Sequence, residues 1–174
     1  SLSLNIWVAP SLISKSHPLA KVDGVNNAIL VEASPLGEIM LYGPGAGSGP
    51  TAASIVSDIL HLYGALSKNT ISKDPLLSFN YWRDCHIIEF DQITKKNYLR
   101  IICSDTPGVI GKIGDIFGKN DVSIESIVQL DASENKAEIV VITHEVSNGK
   151  FRTSKQEING LSEVDLIASQ LSCI

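Results

Sequence analysis

The fold of the C-terminal part is decided by residues 98–129, which read YLRIICSDTPGVIGKIGDIFGKNDVSIESIVQ. The apolar run at 98–103 is short and ends at a turn signal, which is typical of a buried strand. Apolar residues then recur at helical spacing over 107–119, and a second apolar stretch covers 122–130. This part of the chain therefore predicts a strand, a helix and a second strand in direct succession.

The remaining C-terminal sequence extends this order. A strand is predicted over 137–146 after a polar turn, a helix over 151–159 and a closing strand over 164–171. The complete order is βαββαβ, the ferredoxin-like arrangement, in which two helices cover one face of a four-stranded antiparallel sheet. Gly111 and Gly114 weaken the first helix, so we expect them at positions of close packing against the sheet.

The N-terminal part has a looser pattern. Two apolar runs at 27–33 and 38–42 flank the turn sequence SPLG, which predicts a hairpin. Apolar residues at helical spacing after Pro50 predict a helix with that proline in its first turn. The apolar run at 4–9 predicts a short strand.

A connector separates the two parts. Residues 67–97 show no sustained periodicity and contain several turn formers, with one short strand predicted at 86–90. The predicted organisation is therefore a first segment at 1–66, a linker at 67–97 and a second segment at 98–174, and the fold class is α+β.

Composition excludes several classes of function. The 174 residues carry 14 basic and 19 acidic side chains, and the net charge of −5 argues against a nucleic-acid partner. No apolar run approaches the ~20 residues that span a bilayer, so no membrane partner is expected. Cys85, Cys103 and Cys173 are dispersed and stand in no metal-ligand spacing, which favours reduced thiols and a cytoplasmic location. No complete catalytic machinery is visible.

The first candidate site is the loop GPGAGSGPT at 43–51, between a predicted strand and a predicted helix. Glycines allow a ligand to approach the backbone, and the N-terminus of the following helix suits a phosphate or a carboxylate. The spacing matches neither a P-loop nor the dinucleotide fingerprint. A tight turn that needs positive φ explains the loop equally well.

The second candidate is SDTPGV at 104–109, again between a strand and a helix. Asp105 or Thr106 is expected to cap the helix, with Pro107 in its first turn and Gly108 opening space beside the exposed N–H groups. An amino acid is able to place its carboxylate there and its ammonium on a nearby oxygen. From local sequence alone, a well-capped helix without a ligand is the simpler interpretation.

Residues 17–59 closely resemble the end of the catalytic part of homoserine dehydrogenase, through the motifs HPLA, VDGVNNAI, GEIMLYGPGAG and PTAASIVSD. Residues 98–129 resemble an ACT domain, an amino-acid-sensing module that many bacterial members carry after the catalytic part. The resemblance implies a partial substrate-domain sheet with a helix that returns to the nucleotide domain, followed by a ferredoxin-like ACT domain.

The resemblance also implies an activity. The family oxidises L-homoserine to L-aspartate 4-semialdehyde, or runs the reverse reduction, with NAD or NADP, in threonine and methionine biosynthesis. Its Rossmann fingerprint and catalytic lysine are expected upstream of Ser1, so no catalytic residue is assigned here. We therefore expect a C-terminal fragment that is inactive alone.

Site residues follow from the same resemblance. In the family the last glycine of the GxGAG loop contacts the dinucleotide, and the cofactor-binding positions here are Gly43, Gly45, Ala46 and Gly47. The implied effector, L-threonine, is expected at a subunit interface of a homodimer or homotetramer, with Gln129 as a further candidate. The expected effector-binding residues are Asp105, Thr106, Pro107, Gly108, Val109, Ile110, Asn120 and Ser123, the last two from across the interface.

Two alternative functions remain open. The chain could be a free-standing amino-acid-binding regulator in which residues 1–66 are only a scaffold. Alternatively, the ACT segment could serve purely for dimerisation and bind no amino acid.

Overall fold

The computed structural model describes residues 2–74, 84–132 and 135–174. In chain order the strands are β1 (Leu2–Leu4), β2 (Ser11–Leu12), β3 (Asn26–Ala33), β4 (Gly37–Pro44), β5 (Cys85–Ile87), β6 (Thr94–Ser104), β7 (Ile124–Ala132), β8 (Lys136–Thr143), β9 (Val146–Ser147) and β10 (Val164–Cys173). The α-helices are α1 (Ser48–Ser67), α2 (Val109–Lys119) and α3 (Asn148–Asn159), and short 3₁₀ helices lie at Pro18–Lys21, Ile71–Lys73 and Phe90–Gln92. None of the helices in the described ranges is long and apolar enough to cross a membrane.

The chain forms two compact units. One unit is Ser14–Asp84, and the other is Cys85–Ile174 together with the chain up to Ile13. This division differs from the predicted segments, because β1 and β2 pair with strands of the C-terminal unit and β6 begins inside the predicted linker. The strand predicted in that linker is present as β5, and residues 75–83 of the linker lie outside the described residues.

The C-terminal unit has the predicted ferredoxin-like fold. Its sheet has the strand order β2-β10-β6-β8-β7, and β6, β7, β8 and β10 pair antiparallel. The predicted four-stranded sheet is extended at one edge by β2, which pairs parallel with the end of β10. A sequence pattern describes one strand at a time, so it did not reveal this partner from the other end of the chain.

The core lies between the sheet and the two helices. Alternate side chains of β6 are buried, because successive residues of a strand point to opposite faces and one face is covered. On α2 the buried side chains are Val109, Ile113 and Phe117, which repeat every four residues along one side of the helix. The buried cluster comprises Leu99, Ile101, Cys103, Val109, Ile113, Phe117, Val122, Ala137, Ile139, Val141, Val146, Phe151 and Ile158.

The prediction that Gly111 and Gly114 of α2 pack closely against the sheet is wrong. A Cβ atom built at Gly111 or Gly114 would meet no atom within 4 Å. Both residues fall outside the side of the helix that carries Ile113 and Phe117 into the core. Their lack of a side chain is therefore not required by the packing of this unit.

In the unit Ser14–Asp84 the hairpin and the helix are confirmed. Strands β3 and β4 pair antiparallel from Ala33 and Gly37 at the turn, and α1 begins at Ser48, which places Pro50 in its first turn. Of the residues of α1, Ala65 alone is buried. Large apolar side chains of α1 are exposed, namely Ile55, Val56, Ile59, Leu60, Leu62, Tyr63 and Leu66.

The strand predicted at 4–9 is wrong. Pairing with β5 involves Leu2–Leu4 only, and Val8 is 99% exposed. An apolar run becomes a strand where an edge is available to accept its hydrogen bonds, and the described structure offers none to residues 5–9.

The open surroundings of the α2 glycines make a matched pair of substitutions informative. Gly114→Ala should raise the free energy of unfolding of the C-terminal unit by about 0.5–1 kcal/mol, because alanine loses less backbone entropy in a helix. Gly108→Ala, at an equally open position but with φ of 93°, should lower it by about 1–2 kcal/mol. Urea unfolding followed by circular dichroism measures both. Destabilisation by Gly114→Ala would show that a neighbour does occupy that side of α2.

Candidate functional site

A cavity of about 440 Å³ lies where the end of β6 meets the start of α2. We call it the α2 cavity. Its lining residues are Cys103, Ser104, Asp105, Thr106, Pro107, Gly108, Val109, Ile110, Gly111, Gln129, Ala137 and Ile139. The cavity is therefore formed by the β6–α2 loop and by the facing residues of β7 and β8.

The buried lining residues of the cavity carry no charge. Cys103, Ala137 and Ile139 are all buried at positions of β6 and β8 that face the helices. The Cys103 thiol lies 3.7 Å from the Ala137 carbonyl oxygen, to which it donates. Burial raises the pKa of this thiol above its ordinary value, so it stays protonated at neutral pH. Because these buried residues are uncharged, this part of the cavity suits a small side chain of a ligand.

Asp105 is held in place from two sides. Its backbone N–H donates to the Asn135 carbonyl oxygen at 2.9 Å, and its carboxylate Oδ1 accepts a hydrogen bond from Gln129 Nε2 at 3.0 Å. The second carboxylate oxygen has no hydrogen bond within the described residues. Asp105 is also the charged residue of the lining, so the cavity favours a cationic group over an anionic side chain.

The expected side-chain cap of α2 is absent. The N-cap residue is Gly108, with φ of 93°, and no side chain bonds the helix N-terminus. Asp105 and Thr106 therefore do not cap α2, because the left-handed turn at Gly108 starts the helix later than the sequence predicts and Asp105 bonds Gln129 instead. The Val109 N–H donates to the Thr106 carbonyl oxygen at 3.5 Å, and the N–H groups that follow it in the first turn of α2 are available to a carboxylate, which the helix dipole also favours.

An ion pair between Lys112 and Glu163 lies beside the α2 cavity. Lys112 on α2 bonds the carboxylate of Glu163, and this hydrogen bond holds the pKa of Glu163 below its ordinary value. The backbone of Glu163 also accepts from the Ser104 N–H at 2.8 Å. This pair joins α2 to the start of β10 beside the cavity, and it leaves the ammonium of Lys112 neutralised.

The structure gathers most of the predicted effector-binding residues. Residues 105–110 all line the α2 cavity, and so does Gln129. Asn120 lies at the other end of α2, where its side chain donates to the Ile116 carbonyl oxygen at 2.9 Å, and Ser123 is exposed beyond it. Within one chain these two residues stay away from the cavity lining, and their expected role across an interface remains a prediction.

The sequence indicated Val109 but not the other three buried residues of the cavity, Cys103, Ala137 and Ile139. The sequence pattern places all three on predicted strands, at 98–103 and 137–146, and assigns none of them to a site. The signal was nevertheless present, because inward-facing positions at the end of one strand and the start of its antiparallel neighbour share one end of a sheet. The register that joins them pairs Cys103 with Ala137.

The glycine loop forms one exposed turn before α1. Gly43 lies near the end of β4, the Gly45 N–H donates to the Val25 carbonyl oxygen at 2.9 Å, and Ala46 leads into Gly47, the N-cap of α1. Gly47 has φ of 123°, which favours glycine, and no side chain caps the helix there. The N-terminus of α1 is therefore open to an anion.

Different structural reasons account for the glycines at the positions of this loop. A Cβ at Gly45 would lie 1.7 Å from the Nδ2 atom of Asn27, so packing against that side chain accounts for this glycine. A Cβ at Gly43 or Gly49 would meet nothing within 4 Å. The space beside Gly43 and the open helix end at Gly47 fit the approach of a phosphate-bearing cofactor. Within the described ranges, no cluster of His, Cys, Asp and Glu side chains is arranged to hold a metal.

Two family models and several known proteins are similar to this chain. Residues 1–60 match the family model described as homoserine dehydrogenase, and residues 97–163 match the model described as ACT domain. The chain is 44% identical over 171 residues to a homoserine dehydrogenase of Synechocystis sp., covering 97% of this chain and 40% of that protein. It is 35% identical over 165 residues to that of Neisseria gonorrhoeae, covering 93% of this chain and 38% of that protein.

A solved structure is similar to nearly the whole chain. The crystal structure of a homoserine dehydrogenase from Thiobacillus denitrificans matches 98% of this chain and 39% of its own length, with a TM-score of 0.88 and 27% sequence identity. The chain thus spans about 40% of the length of the curated relatives that it matches. It belongs to the homoserine dehydrogenase family, as a C-terminal region of that protein that includes an ACT domain.

Proposed function

We propose that this chain is the C-terminal part of a homoserine dehydrogenase that interconverts L-homoserine and L-aspartate 4-semialdehyde with NAD or NADP, in threonine and methionine biosynthesis. The observation that carries the proposal is the order of the two matched segments, a homoserine dehydrogenase segment followed by an ACT domain. We propose that the catalytic lysine and the Rossmann fingerprint belong to the portion of the relatives that this chain does not cover.

We propose that residues 1–66 are the end of the catalytic region, that residues 67–97 are a linker and that residues 98–174 are the regulatory ACT domain. The exposed apolar side chains of α1 support this assignment, because such a surface is normally covered by another layer of the same domain. The three free cysteines are in keeping with a reducing compartment, and we propose a cytoplasmic location.

The 174-residue chain alone should not oxidise homoserine. Without a nucleotide domain or a catalytic lysine, no residue is available to position the cofactor's reactive atom against the substrate. The measurement is the absorbance of reduced nicotinamide cofactor, with a full-length homoserine dehydrogenase as the positive control. Turnover by the purified chain, proportional to its concentration, would contradict the proposal.

The proposed cofactor contact is the loop of Gly43, Gly45, Ala46 and Gly47. The bound nicotinamide supplies the chemistry by accepting or donating the hydride. This chain's part is to let the cofactor approach the backbone at Gly47, with the N-terminus of α1 offering N–H groups. Asn27 fixes the loop through its contact at Gly45.

In the full-length enzyme, Gly47→Val should weaken cofactor binding at least 10-fold, because the branched side chain fills the approach and strains a backbone with φ of 123°. Gly49→Ala is the control, since a Cβ there meets nothing within 4 Å and should leave the cofactor affinity unchanged. The fluorescence of the reduced cofactor measures both affinities. If Gly47→Val folds and binds the cofactor normally, Gly47 does not contact it.

For the α2 cavity we propose an amino-acid effector, L-threonine. The support is chemical: the N-terminus of α2 suits a carboxylate, the Asp105 carboxylate suits an ammonium, and the buried residues Cys103, Ala137 and Ile139 suit a small side chain. We propose that the chain forms a homodimer or homotetramer in which Asn120 and Ser123 of a neighbour complete the cavity. The outer edge of β7 has no partner strand among the described residues, and such an edge is able to accept a second copy.

Calorimetry tests the effector. L-threonine should bind the chain with measurable heat, and Asp105→Asn should weaken binding about 10-fold or more, because a charged hydrogen bond to the ammonium is lost. Asp115→Asn is the matched control, since Asp115 is an exposed carboxylate of α2 outside the cavity lining. No heat from any amino acid would favour the alternative that this domain serves only for dimerisation.

A further inference from the structure

The chain before Ile13 is built into the C-terminal unit. β2 pairs parallel with the end of β10, Ser11 with Ser172 and Leu12 with Cys173, and the Ile174 N–H donates to the Leu12 carbonyl oxygen at 2.9 Å. The segment therefore leaves this unit after Ile13 and the chain returns to it at Cys85. Ser14–Asp84 is thus covalently attached to the C-terminal unit at both of its ends.

A side-chain contact accompanies the strand pairing. Lys95 Nζ lies 5.1 Å from the centroid of the Trp7 ring and donates to Ser172 Oγ at 2.8 Å. Within the described part of the chain, Lys95 forms no ion pair, and burial lowers its pKa from the ordinary value. Its ammonium is therefore supported by an aromatic face and a hydroxyl. We call Trp7, Lys95 and β2 with its pairing to β10 the N-terminal latch.

The latch and the α2 cavity lie at opposite ends of the same two strands. β6 carries Lys95 near its start, and its last residues Cys103 and Ser104 line the cavity. β10 follows Glu163, whose carbonyl oxygen accepts from Ser104, and it ends at the residues that hold β2. A change of alignment between β6 and β10 at the cavity end would therefore reach the latch.

The pairing of β6 and β10 contains sites where the alignment is able to change. Its register shifts between Val164 and Leu166 and again between Ile167 and Ser169. Bulges bend a strand and locally break the ladder, so fewer hydrogen bonds fix the alignment of β6 and β10 at these points. The latch itself is held by two paired residues, one aromatic contact and the hydrogen bonds of Lys95 to Ser172 and of Ile174 to Leu12. Such a small set of contacts is typical of an element of low local stability.

We propose that the N-terminal latch closes when the α2 cavity is occupied and thereby transmits effector binding to Ser14–Asp84. This rests on the proposed amino-acid binding by that cavity. In this structure the cavity and the closed latch occur together, so the proposal requires that the effector bind this state more tightly than a state with an open latch. Because coupling is reciprocal, opening the latch must weaken effector binding by the same factor.

Lys95→Met tests the coupling in the whole chain. The methionine keeps an apolar stem but loses the cation over Trp7 and the bond to Ser172, so the latch should open and L-threonine should bind roughly 3- to 30-fold more weakly. Lys155→Met is the matched control, because Lys155 Nζ bonds Gln170 of β10 at 2.8 Å but lies outside the latch. Its affinity for threonine should equal that of the unsubstituted chain.

Trp7 fluorescence gives a second readout that leaves the latch intact. In a Trp82→Phe background, saturating L-threonine should change the emission of Trp7 with the same midpoint as the calorimetric titration. Heat of binding without a fluorescence change, or unchanged or tighter binding by Lys95→Met, would overturn the latch. Absence of any heat in the unsubstituted chain would instead overturn amino-acid binding, and with it the role of the latch.

Discussion

The packing of β6 against α2 is the constraint on which the C-terminal unit depends. β6 is paired on both sides, by β10 and β8, and its inward side chains are covered by the helix. Because Cys103 and Val109 both belong to the buried cluster, the chain must reverse within the few residues between them. That reversal places the uncapped start of α2 and the carboxylate of Asp105 around one cavity. The candidate site is therefore a consequence of how the strand and the helix pack.

The sequence predicted those features that local patterns determine. The helical period of α2, the hairpin of β3 and β4, and the βαββαβ order depend on neighbours in the chain, and all are present. The parallel pairing of β2 with the far end of the chain was not predictable, because no local pattern names a remote partner. The predicted side-chain cap of α2 was wrong for a similar reason. Asp105 bonds Gln129 of β7, a residue that is distant in the chain, and does not bond the N-terminus of α2.

Glycine illustrates the same limit at single positions. The sequence presents the loops at 43–49 and 104–109 as similar glycine turns, but the causes differ. Gly47 and Gly108 have positive φ, whereas Gly45 is explained by the side chain of Asn27. Gly111, in the middle of a helix, has no positive φ and no neighbouring atom that would exclude a side chain. Only the backbone conformation and the surroundings distinguish these roles, and a composition-based argument treats them alike.

The two units differ in what stabilises them. The C-terminal unit has its own core, whereas seven large apolar side chains of α1 are each between 44% and 70% exposed. Fully burying such a side chain is worth about 1.5–3 kcal/mol, so their combined burial would contribute on the order of 10 kcal/mol, comparable to the whole stability of a small domain. The described residues of Ser14–Asp84 therefore leave an apolar surface that calls for a covering layer, in keeping with relatives more than twice the length of this chain. The C-terminal unit, which has its own core, is thus joined to both ends of a segment that leaves large apolar side chains exposed.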